Sequence, residues 1–242
     1  NTPTRTRADQ PLISGPFIRN AWYVAAWANE IEDGKIIGRT ILDIPVALFR
    51  KQDGTVAALT DRCAHRFAPL SMGKVLAGDR IQCPYHGLEY DTTGMCVHNP
   101  HGNKAIPPTA KLNSYPVIEQ HKALWIWMGD GSPDPSLIPD FSVLDDAPEI
   151  ATTKHDSMMM ASNYQLMIDN LLDLSHTCYL HDGLLGNADV VDSDIDVAHD
   201  GDDVVVSRTA KDSIPPGPSN PPRYQECIWR EFSNLRIRRN CR

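Results

Sequence analysis

What the 242-residue chain lacks narrows its class first. No apolar stretch approaches the ~20 residues that span a bilayer as a helix, so no membrane span is expected. No basic run stands out, and 23 basic residues against 31 acidic ones leave a formal net charge of −8. Both facts disfavour a nucleic-acid partner, whose phosphates need a positive footprint. The opening stretch, NTPTRTRADQPLISGP, has no apolar h-region and therefore shows no secretory signal. Residues 1–16 read as a flexible lead-in, and a cytoplasmic setting is the default expectation. No internal repeat is evident. The six cysteines could form three disulfides, but in a long chain without an export signal metal or redox use is the better reading.

What is present begins with β-patterning. IPVALFRKQDGTVAALTD places two apolar runs around Asp53-Gly54, a hairpin signal, and GLEYDTTGMCVHNP repeats it around Asp91 to Gly94. SYPVIEQHKALWIWMGD reads as a third strand pair, with Trp125 and Trp127 in period-two alternation. Residues 17–130 are thus expected to form a small antiparallel domain. Residues 131–150, rich in Pro, Asp and Ser, read as a linker or irregular surface excursion. The period then changes. In ASNYQLMIDNLLDLSHTCYLH, Leu166, Asn170, Asp173 and Thr177 fall at helical spacing, as do Met167, Leu171 and Leu174, with Ser162 or Asn163 as N-cap. Just before it, SMMMAS reads as a Met-rich core strand. Strand alternation returns around Asp200-Gly201, so residues 151–242 form a second part and the fold class is α+β.

Chemistry concentrates in two places. The first is DRCAHRFAPLSMGKVLAGDRIQCPYHGLEY, with Cys63 and His65 one residue apart and Cys83 and His86 two apart. Two thiolates and two imidazoles suit either a tetrahedral structural zinc or a Rieske-type [2Fe–2S] centre, in which two Cys hold one iron and two His the other. Composition does not choose between them. Zinc fingers place both Cys before both His around a helix, whereas here each loop supplies one of each within β-rich sequence. Pro69, Gly73, Pro84 and Gly87 suit tight loops around a compact cluster.

The second place is DNLLDLSHTCYLH. On an α-helix Asp169, Asp173 and His176 share a face about 60° wide, but His181 lies roughly 140° from His176. Either the two imidazoles do not form a site, or the helix breaks near Cys178 to His181.

CAH, 17 residues and CPYHG, flanked by HRFAPLSMG and YHGLEYDTTG, resemble the Rieske signature. DNLLDLSHTCYLH resembles the mononuclear-iron motif N-x2-D-x2-H-x4-H of the Rieske non-haem iron oxygenases. Its short Asn170–Asp173 spacing, with FIRNAWYVAAWANEI and LWIWMGD, is similar to the branch of vanillate and dicamba O-demethylases and toluenesulfonate methyl-monooxygenase. The resemblance implies an all-β Rieske domain followed by a helix-plus-antiparallel-sheet, helix-grip-like catalytic domain. It implies Cys63 and Cys83 on one iron, His65 and His86 on the solvent-side iron, and His176 and His181 on a mononuclear Fe(II).

Asp173 would bridge His176 to a Rieske His of a neighbouring subunit in a ring-shaped oligomer, usually a trimer. Asn170 matches a family residue near the iron. The activity implied is that of a terminal oxygenase: it hydroxylates or O-demethylates a small aromatic acid, using O2 and electrons drawn from NAD(P)H through a reductase, with or without a ferredoxin. Rival readings are an aromatic-ring cis-dihydroxylase, a non-catalytic Rieske electron carrier and a structural zinc protein.

The pattern fails at one point. Two His on Fe(II) need a carboxylate to complete the facial triad. Asp189, Asp192, Asp194 and Asp196 lie in a surface-like acidic approach to a strand, and the family's Asp would fall beyond Arg242, so the chain is expected to be truncated. Cys96, Cys178, Cys227 and Cys241 read as free thiols, His98 and His101 as surface residues, and His121, His155 and His199 as turn residues.

Overall fold

In the computed structural model, residues 17–145, 157–182, 191–200 and 203–209 are described, together with the strand at 232–238. They fall into two compact units that divide between Ser157 and Met158.

The first unit carries β1 (Ala21–Trp27), β2 (Ile36–Ile41), β3 (Ile44–Arg50), β4 (Val56–Thr60), β5 (Lys74–Leu76), β6 (Arg80–Gln82), β7 (Glu89–Tyr90), β8 (Cys96–His98), β9 (Ser114–Tyr115), β10 (Val117–Gln120) and β11 (Ala123–Met128). All pair antiparallel, in three sheets ordered β2-β3-β4-β9, β5-β6-β7-β8 and β1-β11-β10. The expected hairpin pairs β3 with β4, Val46 opposite Thr60 and Arg50 opposite Val56. Its turn is set by Asp53, whose Oδ1 accepts from Thr55 N (2.9 Å) and Thr55 Oγ1 (2.6 Å). Asp91 does the same for the β7–β8 turn, accepting from Thr93 N, Thr93 Oγ1 and Met95 N. Gly94 closes that turn at φ +83°, where an added Cβ would lie 2.3 Å from the Leu112 carbonyl. No side chain fits there.

Strand alternation explains the layering. In β3, Val46 and Leu48 enter one core while Ala47 and Phe49 enter another, so the strand is buried on both faces. Leu124, Ile126 and Met128 of β11 meet the Val46 side. Their alternate neighbours Ala123, Trp125 and Trp127 pack with Trp22 and Ile138 on the outer face. The core on the Ala47 and Phe49 side includes Cys63, Leu70, Ile81, Cys83, Leu88 and Tyr90, and thus reaches the two Cys–His loops. Each fully buried large apolar side chain contributes roughly 1.5–3 kcal/mol, so these loops sit on well-supported ground.

Residues 131–145 run irregularly but are anchored. Trp127 Nε1 donates to Gly131 O (2.9 Å), Trp22 Nε1 donates to Asp134 O (2.7 Å), and Phe141 stacks on Trp125.

In the second unit, α1 (Tyr164–Leu172) is capped by Asn163, whose side chain accepts from Gln165 N at 2.9 Å. A one-turn helix, α2 (Thr177–Leu180), follows, then β12 (Asp194–Asp200), β13 (Asp203–Thr209) and β14 (Phe232–Arg238) in an antiparallel sheet of that order. Asp200 pairs with Asp203, as the Asp-Gly signal predicts. Two expectations are corrected. Residues 157–160 form no strand, and Met158 and Met159 are 80% and 98% exposed, so this Met run is not core within its unit. His199 lies within β12, not in a turn; His155, Cys227 and Cys241 lie outside the described residues.

Candidate metal centres

The two Cys–His loops are built on one hydrogen-bond plan. Cys63 N donates to Ala68 O (2.9 Å) and Phe67 N to Cys63 O (2.9 Å). Cys83 N donates to Leu88 O (2.8 Å) and Gly87 N to Cys83 O (3.1 Å). Both loops close through positive φ, +57° at Phe67 and +72° at Gly87. A bulky residue in that region is strained, and Phe67 is held there by the tight loop around it. Asp61, buried at the root of the first loop, accepts from Ser71 N (2.7 Å) and Ser71 Oγ (2.6 Å) across its base.

This plan sorts the donors by depth. Cys63 and Cys83 are 1% and 2% exposed, whereas His65 is exposed and His86 half-buried, their rings 4.8 Å apart between centroids. Burial pushes the Cys83 thiol up; the N–H groups of Tyr85 and His86 pull it back, and neighbouring Cys63 raises it further. Burial, then the charges of His65, His101 and Arg66, hold His86 below its ordinary value, which favours the neutral imidazole. Tyr90, fully buried, places its hydroxyl 3.2 Å from Cys63 Sγ and accepts from Ala64 N at 3.2 Å. A cavity of about 410 Å3 opens beside the imidazoles, walled by His65, His86, Leu88, Asn99, His101 and Thr109.

Among the described residues no three of His, Cys, Asp or Glu stand together as ligands for one ion. A tetrahedral zinc needs four converging donors, while a [2Fe–2S] cluster asks two protein ligands of each iron. Two sulfurs inside and two imidazoles outside fit the second demand. Buried thiols whose charged form is costly unless neutralised also suit a bound cationic group.

In the second unit the chain leaves the helix earlier than the expected break at Cys178 to His181. α1 stops at Leu172; Asp173 caps it, its N–H donating to Asp169 O (3.0 Å) and its Oδ1 accepting from Ser175 N (2.8 Å). That carboxylate turn competes with helical bonding and redirects the chain. His176 then heads α2 and His181 ends it, outside helical geometry at φ −123° and ψ 32°. The rings come within 5.4 Å between centroids, despite the unfavourable angle on a continuous helix. Asn170 Nδ2 lies 3.5 Å from His176 Nε2. The shared face of Asp169, Asp173 and His176 therefore does not exist as a helical stripe.

Comparison with known proteins then assigns the chain. The Rieske [2Fe–2S] domain matches residues 21–116, and the vanillate O-demethylase oxygenase C-terminal domain matches residues 160–224. The dicamba O-demethylase oxygenase component of Stenotrophomonas maltophilia is 52% identical over 166 residues, 68% of this chain and 48% of that protein. The chloroacetanilide N-alkylformylase oxygenase component of Rhizorhabdus wittichii is 42% identical over 205 residues, 82% of this chain and 57% of that one. A crystal structure of dicamba monooxygenase bound to 3,6-dichlorosalicylic acid superposes with a TM-score of 0.76 at 37% identity, covering 93% of this chain and 65% of that one. The chain belongs to the Rieske non-haem iron oxygenases.

It spans about half the length of the curated relatives it matches. The expected facial triad also needs a carboxylate beside His176 and His181. Asp192, Asp194 and Asp196 are exposed, the last two on β12, and Asp189 lies outside the described residues; among the described residues nothing completes the pair.

Sequence reasoning missed two residues beside the first centre. Tyr90 reads as a strand aromatic, and only its seven-residue distance from Cys83 hints at a shared core. His101, expected as a surface residue, sets its Nε2 2.9 Å from the His86 carbonyl. No helix among the described residues is long and apolar enough to cross a membrane.

Proposed function

We propose that the chain belongs to the terminal oxygenase of a multicomponent Rieske monooxygenase that hydroxylates or O-demethylates a small aromatic acid. In this reading Cys63, His65, Cys83 and His86 hold the [2Fe–2S] cluster, and His176 and His181 hold the mononuclear Fe(II) with a carboxylate yet to be assigned. When bound, the cluster stores one electron at a time and the Fe(II) activates dioxygen. One observation carries the assignment: the buried-thiol, exposed-imidazole sorting on twin loops, in the same chain as a His176–His181 pair brought together by the Asp173 turn.

The chain's own residues then have distinct work. Cys63 and Cys83, sealed in the core, keep water from the inner sulfurs, while Tyr85 and His86 N–H groups and the Tyr90 hydroxyl surround them with donors. His65 and His86 face outward, where an electron can arrive from a reductase and leave for an acceptor. Asp173 fixes the His176 turn and, in a ring-shaped oligomer such as a trimer, offers a carboxylate to a Rieske imidazole of the neighbouring subunit. Asn170 holds a polar group against the His176 ring. A cytoplasmic setting, an NAD(P)H-linked reductase and a ferredoxin where one is used complete the proposal.

The test is product analysis of the full-length protein with a reductase, NAD(P)H, O2 and a panel of methoxylated, N-alkylated and ring-alkylated aromatics. A phenol with formaldehyde supports O-demethylation. A cis-diol would move the protein to the dihydroxylases, and cluster reduction with no product from any substrate would leave only an electron carrier. The N-alkyl arm is included because the Rhizorhabdus relative is a chloroacetanilide N-alkylformylase component.

A further inference from the structure

The segment after β8 does more than close a surface loop. Residues 99–105 are stitched by their own polar groups: Asn99 Nδ2 donates to Ala105 O (2.8 Å), His101 N to Asn99 Oδ1 (3.1 Å), Lys104 N to His101 O (2.9 Å) and Ala105 N to Asn103 Oδ1 (3.0 Å). Positive φ at Gly102 and Lys104 lets the loop turn back on itself. The loop lies against the second Cys–His loop at two points. Pro100 Cγ would stand 3.3 Å from a Cβ built on Gly87, and His101 Nε2 is 2.9 Å from the His86 carbonyl oxygen. A carbonyl can only accept, so Nε2 carries the proton and donates it.

The His86 ring is hemmed in accordingly. Tyr85 lies against it at 3.8 Å between centroids, His65 meets it edge-on at 4.8 Å, and His101 approaches at 6.1 Å and 82°. A ligand ring turns with its backbone unless that backbone is held, and outer partners of this kind govern ligand orientation at metal sites.

We infer that His101 is a positioning residue for His86: its Nε2–H bond to the His86 carbonyl locks the second ligand loop and sets the orientation of that solvent-side imidazole. The inference rests on the reading above that His86 holds iron. His101 itself takes no place in the ligand set. Its loop is the third wall of the cavity beside the imidazoles, so the same bond also sets how far the cluster edge is open to water.

The test compares the cluster-loaded complete protein with His101→Ala, His101→Gln and Asn99→Ala. Two readouts are taken: the g-values of the reduced cluster by electron paramagnetic resonance, and the rate of cluster bleaching under a chelator. One net hydrogen bond corresponds to about fivefold in such a rate. His101→Ala is expected to shift the g-values and bleach about threefold to fivefold faster. His101→Gln, which keeps an N–H donor of similar reach, should stay close to the parent. Asn99→Ala, which unstitches the loop without touching His86, should move in the same direction as His101→Ala. Parent-like g-values and bleaching in both alanine variants would overturn the inference, as would a Gln variant that behaves like Ala. A parent protein with no Rieske signal would instead remove the ligand assignment on which the inference rests, so the two failures are separable.

Discussion

Tyr90→Phe isolates one hydroxyl in the core of the first unit. The ring is fully buried and stays in place, so no cavity larger than an oxygen atom opens. What disappears is a pair of contacts: the 3.2 Å approach to Cys63 Sγ and the 3.2 Å bond from Ala64 N–H. Burial, and then Cys63, push the Tyr90 hydroxyl above its ordinary value, so it stays protonated across the working pH range. With Cys63 as a ligand thiolate the hydroxyl is therefore the donor. Two net hydrogen bonds of about 1 kcal/mol each give a stability loss of about 2 kcal/mol.

The redox consequence follows from charge. Reduction adds negative charge to the sulfurs, and a hydrogen bond to a more charged acceptor is stronger. If reduction strengthens this bond by about 1 kcal/mol, its loss lowers the cluster potential by roughly 40 mV, since about 59 mV corresponds to 1.4 kcal/mol for one electron. The assay is a spectroscopic redox titration of parent and variant, with thermal melts alongside. A potential that is unchanged or raised, in a variant that still holds its cluster, would refute the reasoning.

Other expectations are shorter. Gly73→Ala would place a Cβ 2.0 Å from the Gln82 carbonyl, one residue before Cys83; a loss of about 3 kcal/mol and poor cluster loading are expected, and an unchanged Tm would contradict the contact. His176→Ala should lose mononuclear iron by metal analysis while the Rieske absorbance persists; loss of both would point to misfolding. Asp173→Asn should leave the cluster reducible while substrate turnover nearly stops, and undiminished turnover would discredit its bridging role. Asp53 is held down to about 2, first by the Thr55 side-chain bond, then by the Thr55 N–H and Lys51. A depressed carboxylate stabilises the fold above its unfolded value and loses that contribution as pH falls through the folded one. Thr55→Ala should therefore raise the Asp53 pKa toward the ordinary 3.8 in an NMR titration and bring acid loss of the hairpin to a higher pH.

Legibility in the sequence followed locality. The Asp53-Gly54 and Asp91–Gly94 turns were readable because each depends on a side chain bonding its own backbone within four residues. Asn163 was readable as a cap for the same reason. Helical periodicity continued smoothly past Leu172, yet the Asp173 carboxylate, taking Ser175 N–H, ends the helix there. Propensity counts side-chain spacing and does not weigh that competing bond. The Met158–Met160 run shows the converse: apolar composition predicts burial, yet none of these residues is buried in its unit.

The Cys and His donor types, their spacing and the motif that marks the family stand in the linear chain, because two tight loops and a short helical interval impose their own residue order. Which atoms lie deep and which face outward was decided only when the sheets packed. Burial of Cys63 and Cys83 beside Tyr90, and the approach of His101 to His86, join residues whose separation along the chain says nothing of contact. Tertiary packing makes those meetings, because the apolar faces on either side of β3 must be covered and the loops are carried wherever that covering puts them.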